Sequence, residues 1–93
     1  LLLGFAESEG RFGDDVAGAL AEGRPQDALR RTHDMKGLAG TLGARRLQDA
    51  ARALHEEIAA GRGRADAPEL ARVRGELASV LAEITTLASS RGG

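Results

Sequence analysis

The 93-residue chain has no cysteine, tryptophan or tyrosine, only two phenylalanines and two prolines, and a single lysine against twelve arginines. Each scarcity closes off a class of protein. Without cysteine there is no disulfide scaffold, no thiolate metal site and no cysteine nucleophile. Two phenylalanines make no stacking platform for bases or sugars. A formal net charge of −1, from 13 basic and 14 acidic residues, leaves no electrostatic footprint for nucleic acid. No uninterrupted apolar run approaches the roughly 18 residues a membrane span needs. Leu1-Leu2-Leu3 does not read as a signal-peptide core, since Glu7, Glu9, Asp14 and Asp15 follow closely. The missing initial Met is read as the mark of a piece of a longer protein, and Ser89-Ser90-Arg91-Gly92-Gly93 as a frayed end. Length and composition are those of one domain spanning 1–93.

What the chain does have is helical periodicity, with no stretch alternating as a half-buried strand would. Ala and Gly make up a third of it, which implies thin, closely packed helices. A first stretch over about 1–22 carries Leu1, Leu2, Phe5, Phe12, Val16, Ala19 and Leu20. Gly4, Gly10 and Gly13 weaken it, each by up to about 1 kcal/mol against Ala, so a break or kink is expected near 10–13. Gly23-Arg24-Pro25 is a stop followed by a start, with Pro25 at the first turn, where its missing N–H costs nothing. The second helix is predicted over 25–42, ending at Gly43 as a left-handed cap. A third, over about 44–60, places Leu47, Ala50, Ala51, Leu54 and Ile58 on one face. Gly61-Arg62-Gly63-Arg64 reads as a loop. Asp66 and Glu69 are spaced as a capping box ahead of a last helix carrying Leu70, Val73, Leu77, Val80, Leu81, Ile84 and Leu87. Short connections make consecutive helices antiparallel, and the expected architecture is an all-α, up-down four-helix bundle.

A helical wheel on the second helix separates two faces. With Met35 at zero, Ala28, Thr32, Leu38, Ala39 and Leu42 fall within roughly 60° and form the packed side. His33 lies near 160°, Lys36 near 100°, Gly37 near 200° and Gly40 near 140°, with Gln26 and Arg30 on the same outer side. A histidine on an exposed helix face is ordinarily just a surface residue. Here, however, Gly37 and Gly40 lower helix stability at positions where Ala, Glu or Lys would raise it, leaving the imidazole unshielded. Lys36 supplies a compact ammonium one turn from it.

An exposed imidazole beside a cation, with no carboxylate dyad, suits nucleophilic catalysis through a phosphoramidate, the lysine offsetting phosphoryl charge. Histidine's ordinary pKa of about 6.5 leaves a lone pair available at neutral pH. The rest of a phosphoryl-transfer apparatus is missing from the sequence. It contains no Walker-type loop and no Asp cluster arranged for magnesium, so the chain could hold a phosphoryl group but not take one from ATP unaided.

His33-Asp34-Met35-Lys36-Gly37, followed by Leu42-Gly43-Ala44 and a Leu/Ala-rich helix, resembles the histidine-containing phosphotransfer (HPt) domains of multistep two-component relays. The likeness extends over nearly the whole chain, from the leading helical stretch to the long last helix. It implies that His33 is phosphorylated, that Lys36 stabilises the phosphoryl group, and that Gly37 is the gap through which a receiver-domain aspartate reaches the imidazole. Gln26, Arg30 and Gly40 would lie in the partner-binding face. The resemblance further implies a cytoplasmic phosphorelay carrier that is neither kinase nor phosphatase by itself and binds no cofactor. Mg2+ would sit on the response-regulator receiver. Other expectations are a monomeric domain without membrane or nucleic-acid contact, a module of a hybrid sensor histidine kinase whose own core is a second partner, and a bacterial source.

One position departs from the family pattern. Twenty-two residues after the phosphoacceptor, where relatives carry Glu or Gln hydrogen-bonded to the imidazole, this sequence has His55. His55 either orients His33 or is a flank residue of an amphipathic helix, and Glu56 takes the role if the register slips by one. The competing functional reading is a non-catalytic helical interaction or scaffold module that binds receiver domains, with His33 and Lys36 incidental. A zinc enzyme is a distant third, because two histidines fall short of the three protein ligands such sites use.

Overall fold

The computed structural model describes residues 11–92, with side chains as far as Thr86. Four helices account for most of them: α1 (Phe12–Ala21), α2 (Pro25–Leu42), α3 (Arg45–Ala59) and α4 (Pro68–Gly92). They close a ring in which α1 packs on α2, α2 on α3, α3 on α4, and α4 back on α1. Strands are absent there. This is the expected all-α four-helix bundle. Leu1, Leu2, Phe5, Gly4 and Gly10 of the predicted first stretch lie outside the described residues, as does the Leu87 side chain.

The core follows the helical spacing. Phe12, Val16 and Ala19 of α1 meet Ala28, Met35 and Ala39 of α2. Leu47, Ala50, Ala51, Leu54 and Ile58 of α3, with Leu70, Val73 and Leu77 of α4, complete it. Ala28, Ala39, Ala50 and Ala51 are all fully buried, so small side chains bring α2 and α3 together at almost no cost in rotamer freedom. Thr32 is the one buried polar residue among those described, and its hydroxyl donates to the Ala28 carbonyl a turn back. α2 ends as its sequence predicts. Gly43 sits at φ +71°, a conformation costly for any residue with a Cβ. From there its N–H reaches Gly40 O at 3.2 Å and the Ala44 N–H reaches Ala39 O at 2.9 Å.

The break expected near 10–13 coincides with the start of α1 at Phe12, and Gly13 is a buried position inside that helix. A Cβ there would fall 2.6 Å from the guanidinium of Arg74, which lies over this glycine and pairs with Asp14 at 3.2 Å. The capping box does not form. α4 starts at Pro68, whose fixed φ and missing N–H suit the first helical position, and Asp66 turns to Arg64 at 3.6 Å instead. Leu42, placed on the packed face by the wheel, is 44% exposed. Phe12, at the start of α1, lines a groove with Met35 and Leu38, so the last turn of α2 extends past the described part of α1.

Candidate functional site

The outward strip of α2 carries His33, Gly37 and Gly40, all exposed, with Lys36 half-buried at its edge; Gln26 and Arg30 are exposed nearer the N-terminus. α3 runs antiparallel beside this strip. Its half-buried His55 faces His33 across the helix pair, the ring centroids 6.4 Å apart and the planes tilted by 54°. Seven residues after His33 on α2, Gly40 lies under the amide of Gln48, which stands seven residues before His55 on α3. These two contacts define one register, in which His55 rather than the exposed Glu56 stands opposite His33. No hydrogen bond joins the two imidazoles.

The two strip glycines differ in what surrounds them. A Cβ at Gly37 would meet nothing within 4 Å, whereas one at Gly40 would come within 2.7 Å of Gln48 Nε2. Gly37 is therefore left bare toward solvent, while Gly40 serves helix packing through the far end of one flexible side chain. Sequence reading gave both the same cost in helix stability, set Gly40 in the partner-binding face, and missed Gln48. The matching seven-residue offsets from the two histidines were its only signal.

Charge around the histidines is unbalanced. Arg24, Arg31, Arg52, Arg62, Arg64 and Arg74 each lie within ion-pair distance of a carboxylate. Lys36, like Arg30, Arg45, Arg46 and Arg72, has no such partner among the described residues. Burial holds the His55 pKa below the ordinary histidine value, and the positive charges of Lys36 and His33 push it the same way against a smaller opposing effect of Glu56. At neutral pH the strip thus offers an uncommitted ammonium, an imidazole held neutral beside it, and a second imidazole open to solvent. An incoming anion would find donors here and no nearby carboxylate from α2 facing it, since Asp34 lines the α1 side of its helix with Phe12 and Arg31.

A family model described as Hpt domain matches residues 2–84 of the 93. The chain belongs to the Hpt domain family, the histidine-containing phosphotransfer domains of two-component signal transduction. Such domains are phosphotransfer carriers, not enzymes in their own right, and they interact with response-regulator receiver domains. No curated protein and no solved structure matches the chain. Among the described residues, no helix is long and apolar enough to cross a membrane.

Proposed function

We propose that this domain accepts and donates a phosphoryl group on His33, in exchange with an aspartate of a response-regulator receiver, as a module of a bacterial hybrid sensor histidine kinase in the cytoplasm. The observation that carries the proposal is the juxtaposition on one strip of an exposed His33, a Lys36 a turn on with no carboxylate partner among the described residues, and open space over Gly37. In the forward step a ring nitrogen of His33 attacks the phosphorus of the receiver's aspartyl phosphate. The P–N bond forms as the P–O bond breaks, and the aspartate leaves as carboxylate with no proton required. Donation is the reverse. Lys36 offsets phosphoryl charge, Gly37 admits the aspartate, and Gln26, Arg30 and Gly40 lie within the surface the receiver covers. Mg2+ and the acidic residues that hold it belong to the receiver, and this domain works without a cofactor of its own.

Incubation with a panel of phosphorylated receivers should give an acid-labile phosphoramidate located on His33 by phosphorus NMR. Phosphorus elsewhere, or receiver binding without any transfer, would overturn the assignment. Lys36→Ala should keep the fold, because the side chain has no ion-pair partner to lose among the described residues. The half-life of phospho-His33 should fall about tenfold, the factor equivalent to one charge-assisted contact of ~1.4 kcal/mol. A time course of label retention measures it, and an unchanged half-life would remove Lys36 from the site.

A further inference from the structure

The phosphocarrier reading uses His33, Lys36 and Gly37 and leaves His55 without a task. Its surroundings suggest one. His55 is half-buried on α3, its ring 6.4 Å from that of His33. The charges acting on it come from α2, where both Lys36 and His33 oppose a proton on it, and from Glu56 on its own helix, which favours one. No charge from α4, the other element packed against α3, acts on it among the described residues. Arg52, one turn earlier on α3, faces Asp49 at 3.8 Å. Asp34 is turned to the α1 side. In the free domain, then, His33, Lys36 and His55 stand together with little to neutralise them among the described residues, and burial together with the two neighbouring charges disfavours a proton on His55.

Phosphorylation reverses that balance. A phosphoryl group on His33 brings at least one net negative charge to the strip and compensates Lys36. We propose that His55 takes up a proton from solvent when His33 is phosphorylated, so that an imidazolium on α3 and the ammonium on α2 hold the phosphoryl group between them. The inference rests on the phosphocarrier reading and adds to it a charge partner from the neighbouring helix. The bookkeeping is complete: the donor's P–O bond breaks, the P–N bond on His33 forms, and one proton passes from water to a His55 ring nitrogen.

Linkage makes this reciprocal. If phosphate on His33 raises the proton affinity of His55, a proton on His55 favours phospho-His33 by the same factor. A unit charge about 6 Å away at a partly exposed surface moves a pKa by roughly one unit. The phosphorylation equilibrium should therefore favour phospho-His33 increasingly as pH falls from the midpoint of the phosphorylated form to that of the free form. The gain is about threefold between the two midpoints and approaches about tenfold from well above the upper one to well below the lower.

The test uses the 93-residue chain labelled at histidine, whose two imidazoles give two traceable ring signals. Phosphoramidate, a small N-phosphoryl donor, serves as the probe in place of a receiver. Phosphorus on His33 with a rise of about one unit in the His55 titration midpoint is the expected result. Phosphorus on His33 with an unchanged or lowered His55 midpoint overturns the charge-partner role and leaves the carrier reading standing. Phosphorus on His55 alone, or on neither ring, overturns both. A second measurement follows transfer equilibria against pH. His55→Gln should lose the extra tenfold dependence while remaining phosphorylatable, and a wild-type profile in that variant would equally refute the proposal.

Discussion

Gly37→Gln should produce a better-folded protein and a far poorer carrier. Glycine inside a helix costs about 1 kcal/mol against good helix formers, and Gln is one of these. A Cβ at this position meets nothing within 4 Å, so the substitution brings no clash to offset the gain. For a domain of this size, about 1 kcal/mol corresponds to a rise of roughly 4–8 °C in Tm. The same added side chain stands one turn from His33, in the space through which, in the proposed function, a receiver's aspartyl phosphate reaches the imidazole. In-line attack tolerates little displacement, and a misplacement of about 1 Å can cost on the order of 100-fold. Thermal unfolding and single-turnover transfer from a phosphorylated receiver, on the same sample, read both halves. If transfer is unchanged while Tm rises, access through Gly37 is not what this glycine provides. Gly40→Gln is the informative comparison, because its side chain would have to displace Gln48 rather than enter open space.

Leu54→Ala should remove a large part of the stability of the fold. Leu54 is fully buried, next in sequence to His55 and packed within the ring of helices. Removing a buried leucine side chain costs about 2–5 kcal/mol, depending on how far the surroundings collapse into the space. That is a large part of the roughly 5–15 kcal/mol by which small domains are stable. Leu42→Ala supplies the control. It is the same chemical change on a residue the wheel also assigns to a packed face, but at 44% exposure it should shift stability by no more than about 0.5 kcal/mol. Urea unfolding followed by circular dichroism compares the two, and equal losses would mean that the packing described for α2 and α3 is wrong.

The contrast between these leucines shows where reading the sequence succeeds and where it stops. Intervals of three and four residues identify which side of a helix is apolar, because a helix repeats every 3.6 residues whatever surrounds it. They therefore anticipated the buried faces of α2 and α3, and Gly43 announced where α2 ends, since a left-handed turn there favours glycine. They could not show how far the neighbouring helix extends. Leu42 lies on the correct side of α2 but beyond the described part of the helix that would cover it. The same limit applies to Asp66, whose spacing from Glu69 fits a box that Pro68 and Arg64 together preclude.

By itself, the sequence determined the helices, their apolar faces, and an outward His33 with a single lysine and a bare glycine beside it, all of which depend on short-range periodicity. The tertiary structure decided what depends on the register between helices. It set His55, not Glu56, opposite His33, laid Gln48 over Gly40 but nothing over Gly37, and paired six of the arginines with carboxylates while giving Lys36 none among the described residues. Helical periodicity fixes the angle of a side chain about its own axis. Only the packing of one axis against another brings two such side chains within 6.4 Å.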